Sequence, residues 1–334
     1  MAAGYARASG AVGVVMVTSG PGATNTATPV RDCMADSIPI VVICGQVPTE
    51  MIGTDAFQEA PVSASLGPLA KHIFLVTKPE MLEATVRTAF EIARTGRPGP
   101  VVIDVPKDVQ NWQGTFSGAG LLPIPGYRQR MHAVVDNVLS EADCARFFDL
   151  LQLSSRPLLY CGGGVVNSEA SASLRAFAQH FGIPVTTTLM GIGAYDTRDE
   201  LSMKMLGMHG TAFANYAVED CDMLIAVGAR FDDRVAGVPA KFAPRAKTIA
   251  QFDVDPSEIG KVKAVDWFHV GVLSRDLEKM LDYGKARGVT LALGDWHAAL
   301  AELKKTYALN FDRASELIQP YAVIEAINRH TKGQ

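Results

Sequence analysis

Val12-Gly-Val-Val-Met-Val-Thr-Ser-Gly-Pro-Gly-Ala-Thr-Asn25 decides the fold. A continuous apolar run of strand length, Val12 to Val17, enters a glycine turn at Thr18 to Gly22 and then a helix. Strands of parallel sheets read this way because helices cover both of their faces. Ile38 to Cys44 repeats the pattern and ends in Gly45-Gln-Val-Pro48. Pro79 to Arg94 has helical spacing and stops at Gly96-Arg-Pro-Gly-Pro100, and Val101 to Val105 is the next strand, closed by Pro106. Regularity fails from Gln110 to Arg130, where Gly, Pro and Ser dominate, as in a linker. Beyond it the alternation resumes. Strands are predicted at Pro157 to Cys161, Pro184 to Thr188, Met223 to Val227 and Thr248 to Val254, with a helix over Glu169 to His180 and helices at Trp296 to Tyr307 and Pro320 to His330. The pattern predicts an α/β chain of two doubly wound parallel-sheet domains.

Length and composition agree. The chain has 334 residues, and at roughly 150 residues per domain that suggests two domains. Hydrophobic residues make up 48% and charged residues 20%, which suits folded cores and excludes a disordered tail. Lysine and arginine number 31 against 35 acids, a net charge of −4, which argues against a nucleic-acid partner. No apolar run reaches the roughly 18 residues of a membrane span. Five scattered cysteines without a CxxC read as reduced thiols in a cytoplasmic protein.

Ligands of open α/β sheets sit at the carboxyl ends of the strands. Thr18-Ser-Gly-Pro-Gly-Ala-Thr-Asn25 reads either as an anion-binding strand–helix loop or as a plain turn. Gly162-Gly163-Gly164 is a partial dinucleotide fingerprint, lacking the GxGxxG spacing. Arg230-Phe-Asp-Asp-Arg234 reads either as a ligand-binding cluster or as an internal salt-bridge knot. Asp253 and Asp255 stand where an acid takes ribose hydroxyls. His209 lacks a second ligand at metal spacing, no G-x-S-x-G occurs, and Lys261-Val-Lys263 reads as a solvated face. Spacing alone gives a two-domain cofactor binder and leaves the chemistry open.

Taken together the motifs resemble one family. They are Gly4-Tyr-Ala-Arg-Ala-Ser-Gly10, Thr18 to Asn25, Gly45-Gln-Val-Pro48, Ile52-Gly-Thr-Asp-Ala-Phe-Gln-Glu59, Lys71-His72, Gly96 to Pro100 and Asp104-Val-Pro-Lys-Asp108 in the first half. Thr188-Leu-Met-Gly191, Leu206-Gly-Met-His-Gly210, Ala214-Asn-Tyr-Ala217, Gly228-Ala-Arg-Phe-Asp-Asp-Arg-Val235 and Asp253-Val-Asp-Pro256 follow in the second. The set resembles the large catalytic subunit of the acetohydroxyacid (acetolactate) synthases. The resemblance implies thiamine diphosphate, FAD and magnesium as cofactors. The implied reaction joins two 2-ketoacids with loss of CO2, early in valine, leucine and isoleucine synthesis. It implies a dimer or higher oligomer through the thiamine domains and a separate regulatory subunit. Related readings are a sister carboligase, such as glyoxylate carboligase, and a non-catalytic flavin-binding protein.

Carried over by motif, Pro21, Asn25 and Gln58 would lie against the thiamine pyrimidine, with Gln58 and Lys107 nearest the chemistry. Phe57, Lys107, Met208, Asp233 and Arg234 would line the substrate channel. FAD would take Arg97, Gly162, Gly163, Gly164, Thr188, Leu189, Met190, Leu206, Gly207, Met208, His209, Gly228, Arg230, Asp232, Arg234, Val235, Asp253 and Val254. No metal ligand is assigned in this chain. Domain limits implied are a pyrimidine-binding domain over 1–112, a linker over 113–135, a FAD-binding domain over 136–315 and a connection over 316–334. The sequence departs from the family in three places. The family's catalytic glutamate would stand upstream of Gly4, the Gly-Asp-Gly metal and diphosphate motif is not found, and Gly271-Val272 replaces a Gly-Asp. Met1 to Gly10 reads as the last turns of a helix capped by Gly10. The expectation is therefore a fragment, inactive by itself, lacking the third domain.

Overall fold

The computed structural model describes residues 1–118 and 120–331. Ala119 of the expected linker and Lys332 to Gln334 of the expected connection lie outside the described residues. The chain divides into two compact units. The first is Met1–Leu139 with Asp253–Ile259 and His269–Asp276; the second is Ser140–Phe252 with Gly260–Phe268 and the chain from Leu277 onward.

The first unit holds four strands, β1 (Gly13–Val17), β2 (Ile40–Gln46), β3 (His72–Leu75) and β4 (Val101–Pro106), in the order β1-β2-β4-β3. All pairings are parallel, with Val14 opposite Val41, Val41 opposite Val101 and His72 opposite Val101. Side chains alternate between the two faces of a strand. Val42, Cys44 and Val102 therefore enter one core with Val30, Cys33 and Leu66, while Val41, Val101 and Ile103 enter the other with Ala89, Ile92 and Ala93. Both faces of β2 and β4 are covered, which is why these strands read as unbroken apolar runs.

The helix Leu82–Arg94 follows a 3-10 turn at Pro79–Met81. Thr85 and Thr88 are buried on its inner face because their hydroxyls donate to Met81 O and Ala84 O, four residues back, at 2.8 and 2.7 Å. Lys71 Nζ donates to Ile92 O and Thr95 O at the far end, both at 2.5 Å, satisfying carbonyls that have no partner within the helix. The opening helix is Ala2–Ser9, and Gly10 caps it in the left-handed conformation (φ 70°), as expected. A helix at Tyr127–Asp136 begins within the stretch expected to be irregular. Tyr127 pins its start, buried among Val105, Val109 and Ala93 and bonded to Thr95.

The second unit holds β5 (Pro157–Cys161), β6 (Val185–Thr187), β7 (Ser202–Met205), β8 (Met223–Val227), β9 (Thr248–Asp253) and β10 (Trp267–Val270), in the order β10-β9-β8-β5-β6-β7. β5 pairs in parallel with β6 and β8, β6 with β7, and β8 with β9. The order reverses at β5, so loops on either side of it meet at the carboxyl edge. Phe147, Phe252 and Trp267 pack edge to face beneath the sheet, their centroids 5.1 to 5.8 Å apart about Phe147. The helix Glu141–Gln152 that carries Phe147 starts with a capping box, Ser140 and Asp143 each accepting the other's backbone N–H. The helix expected over Glu169–His180 is present as Ser171–Phe181, and a short unexpected helix, Gly163–Asn167, precedes it. β3, β7 and β10 escaped sequence reading because each is short and polar residues (His72; Ser202 and Lys204; His269) deny it a continuous apolar run. Among the described residues, no helix is long and apolar enough to cross a membrane.

Candidate functional site

In the first unit the loops after β1, β2 and β4 emerge at one edge of a parallel sheet. Pro21 and Asn25 flank the short helix Pro21–Thr24, and both are exposed. Gly20, in front of it, has φ 58°, and a Cβ there would lie 2.8 Å from Gln58 O. Only glycine lets the two loops touch. Phe57 and Gln58 are exposed on the second loop, Phe57 at 89%. Lys107 is exposed at the start of the short helix Lys107–Gln110 after β4. Its neighbour Asp108 accepts from the Thr49 N–H at 2.9 Å and from its hydroxyl at 2.5 Å. The Thr49 hydroxyl, foremost, holds the Asp108 carboxyl below its usual range. Five residues drawn from three distant sequence motifs thus share one sheet edge.

Arg97 has a different setting. Its Nε donates to Ser37 Oγ at 2.9 Å, Nη1 faces Glu258 at 2.7 Å and Asp255 at 3.6 Å, and Nη2 donates to Met34 O and Ala35 O. Four hydrogen bonds and the ion pair with Asp255 hold the guanidinium within the first unit. Asp253 is buried and accepts from the Asp255 N–H at 3.0 Å. Burial, with the Asp255 and Glu258 carboxylates adding to it, pushes Asp253 up to about 6. Val254 is half-buried beside it.

In the second unit four loops close the carboxyl edge. Gly162 N–H donates to Val227 O and Gly164 N–H to Gly228 O, both at 3.0 Å, joining the loop after β5 to that after β8. Thr188 N–H donates to Cys161 O at 2.9 Å, and the Thr188 hydroxyl caps the turn Leu189–Gly191 through the Gly191 N–H at 3.0 Å. Leu206 is buried, its N–H on Thr187 O, while Met208 N–H donates to Arg234 O at 3.3 Å. Gly207 takes φ 96° and exchanges two hydrogen bonds with the Asn215 side-chain amide, at 2.9 and 3.0 Å. Asn215 fixes this loop, a role that its place inside a helix did not disclose. Tyr160 donates to Arg230 O at 2.6 Å and holds the loop after β8 from beneath.

Leu189, Met208 and Ile192 stand 69%, 67% and 53% exposed on these loops, and His209 is exposed among them. Gly163, Met190 and Gly228 are half-buried. Of the two readings of Arg230 to Arg234, the salt-bridge knot is not formed. Arg230 meets Asp232 only loosely, at 3.8 Å, and Asp232 instead caps the turn Asp233–Ala236 by accepting from Arg234 N–H at 3.1 Å. Asp233 and Arg234 are exposed, Val235 is half-buried, and Arg234 forms no ion pair among the described residues. Lys263 is not a solvated lysine either, since its ammonium donates to Pro239 O and Phe242 O at 2.9 and 2.8 Å. The edge therefore offers the exposed Arg234, the half-buried Arg230 and apolar side chains on glycine-rich backbone, groups that suit a ligand with an anionic part and an apolar part. Among the described residues, no group of three or more His, Cys, Asp or Glu could hold a metal.

Residues 1–66 match the thiamine pyrophosphate enzyme, N-terminal TPP binding domain, and residues 144–280 match the thiamine pyrophosphate enzyme, central domain. The chain is 46% identical over 326 residues to the acetolactate synthase large subunit of Parasynechococcus marenigrum, covering 97% of this chain and 52% of that protein. It is 44% identical over 338 residues to acetolactate synthase 1, chloroplastic, of Nicotiana tabacum, covering 99% of this chain and 49% of that one. It is 43% identical over 332 residues to the acetolactate synthase large subunit of Corynebacterium glutamicum, covering 98% and 52%. The chain spans about half the length of the curated relatives it matches.

Proposed function

Because this chain belongs to the thiamine pyrophosphate enzymes, we propose that it supplies the pyrimidine-binding and flavin-binding parts of an acetolactate synthase. The reaction is the condensation of two pyruvates, or of pyruvate with 2-ketobutyrate, with loss of CO2, for branched-chain amino-acid synthesis. Carboligation is assigned to a polypeptide of the relatives' length, of which this chain spans about half. One observation carries the reading. Pro21, Asn25, Phe57, Gln58 and Lys107 all stand exposed on the loops at one edge of the first unit's sheet.

Thiamine diphosphate, when bound, supplies the carbon that attacks the first ketoacid and stabilises the electron pair released with CO2. Pro21, Asn25 and Gln58 would orient its pyrimidine ring. The Gln58 amide can donate to or accept from a ring nitrogen or the exocyclic amine. The Lys107 ammonium would attract the ketoacid carboxylate, and Phe57 would exclude water around it.

FAD fits the second unit. Arg230 and Arg234 suit a diphosphate. Leu189, Met190, Met208 and His209 suit the flat ring system. Thr188, Leu206, Gly207, Gly228, Asp232 and Val235 would shape the loops that carry these groups. Asp233 and Arg234 would border the substrate channel. Magnesium is assigned to the full-length enzyme and to no residue here.

We further assign the working assembly to at least a dimer with a separate regulatory subunit. Val14 and Met16 on the edge strand β1, 47% and 75% exposed, support a subunit contact. Five free, buried cysteines suit a reducing compartment such as the cytoplasm. The test is to purify the chain and titrate FAD, following flavin absorbance and fluorescence quenching. Saturable uptake, weakened by Arg230→Ala, is expected. A colourless protein that takes up no added FAD overturns the reading.

A further inference from the structure

Gln46 and Asp104 form a buried polar pair in an apolar core, 5% and 2% exposed. They lie on neighbouring strands, with Cys44 opposite Asp104 and Gln46 two residues beyond, so both side chains face the same side of the sheet. Gln46 Nε2 donates to Asp104 Oδ2 at 3.1 Å and to Ala60 O at 2.9 Å, while its Oε1 accepts from Val47 N–H at 2.9 Å. A carboxylate and a carbonyl both accept, so only the amide nitrogen can face them and the orientation of Gln46 is unambiguous. Among the described residues, Asp104 Oδ1 has no hydrogen-bond partner. A half-satisfied carboxylate in a core is a poor way to stabilise a fold, because an apolar side chain of similar size does as well or better.

The loop that ends at Ala60 carries Phe57 and Gln58. Asp55 and Gln58 take φ of 58° and 60°, left-handed backbone that non-glycine residues avoid. Such backbone persists only where the surroundings over-determine it. Glu59 supplies one constraint, its carboxylate accepting from Gly53 N–H at 2.5 Å and Ala56 N–H at 3.1 Å. Gly20 supplies a second by packing against the Gln58 backbone. The Gln46 amide, on Ala60 O, supplies the third and is the only one of these that reaches into the sheet.

We propose that Gln46 and Asp104 are positioning residues: Asp104 aims the Gln46 amide, and that amide anchors the carbonyl of Ala60 so that Gln58 and Phe57 are held in strained, ligand-ready backbone. The inference rests on the assignment of Gln58 to the thiamine pyrimidine, and its test separates the two.

Hydrogen–deuterium exchange of this chain is compared for wild type, Gln46→Leu, Asp104→Leu and Asp104→Asn. The loop is read at the Gly53, Ala56 and Glu59 amides and the sheet at the Val42 and Val102 amides. Loss of a net hydrogen bond corresponds to roughly three- to tenfold faster exchange. That acceleration is expected in the loop alone for Gln46→Leu and Asp104→Leu. Asp104→Asn, which keeps a carbonyl acceptor for Gln46, retains wild-type loop exchange. Loop and sheet exchange rising by the same factor, no change in either leucine variant, or loss of protection in Asp104→Asn equal to that in Asp104→Leu, overturns the proposal. Thiamine diphosphate titrated into the same proteins reads the other assignment. Loosened loops with unchanged thiamine diphosphate affinity refute the role of Gln58 and leave the positioning intact.

Discussion

Gly162, Gly163 and Gly164 offer a graded test of what the glycine run is for. A Cβ on Gly162 would lie 2.6 Å from Ala229 Cα and overlap Gly228 O, and one on Gly164 would lie 2.6 Å from Gly228 Cα. Carbon atoms in contact sit at about 3.5–4.0 Å, so the two loops must part by about 1 Å. Every colliding atom at 164 is backbone, and at 162 all but Ala229 Cβ are, so no rotamer change relieves the clash. The hydrogen bonds Gly162 N–H to Val227 O and Gly164 N–H to Gly228 O would stretch with that movement. Overpacking costs about 1–3 kcal/mol, and a weakened hydrogen bond adds about 0.5–1.5 kcal/mol. Gly162→Ala and Gly164→Ala should each destabilise by about 2–4 kcal/mol. At Gly163 the new atom would meet a side-chain atom, Met190 Cβ, at 3.0 Å. That contact needs a shift of a few tenths of an ångström, so Gly163→Ala should stay within about 1 kcal/mol. Urea unfolding followed by tryptophan fluorescence measures this, because Trp267 and Trp296 are both buried in the second unit. Gly162→Ala within about 0.5 kcal/mol of wild type, or Gly163→Ala as damaging as its neighbours, would refute the packing argument.

Acid titration should show the two buried carboxylates. Burial raises Asp104 to about 6, and Asp253 likewise, each above its unfolded value, so the stability they contribute is full below that value and is lost as pH rises through 6. Replacing Asp104 by Asn should flatten unfolding free energy between pH 4 and 7 by up to about 3 kcal/mol, and an unchanged slope would contradict the burial. Lys71 has the opposite sign: burial lowers it to about 8, so its contribution grows as pH rises from 8 toward its unfolded value, and Lys71→Met should remove that rise. Arg97→Lys exchanges a five-donor fork for a point charge and should lower first-unit stability by about 2 kcal/mol in urea unfolding. Ser140→Ala removes the capping box of the helix Glu141–Gln152 and should cost about 1 kcal/mol, read by the same tryptophan signal.

Much of the candidate site was legible early because parallel α/β folds place their loops by rule. A strand followed by a glycine turn announces a carboxyl-edge loop, and Thr18 to Asn25, Gly162 to Gly164 and Gly228 to Arg234 all proved to be such loops. The supporting residues were not legible. Asn215, Gln46 and Tyr160 sit in ordinary helix or strand contexts, and their partners are a loop backbone in each case. Arg230 to Arg234 left two readings open for a related reason: alternating charges allow pairing or ligand binding, and only the fold shows that an N-cap satisfies Asp232 through a backbone N–H.

The sequence by itself determined the βα alternation, the covered strands and the turn positions, because these depend on neighbours a few residues apart. Motif by motif it also determined the family. Only the tertiary structure decided which strands adjoin, since β4 lies between β2 and β3 and β5 between β8 and β6. Arg97 finds Glu258 and Gln46 finds Asp104 across long stretches of chain for the same reason. Contacts between distant residues carry no local period, so they exist only once the sheet has set its order.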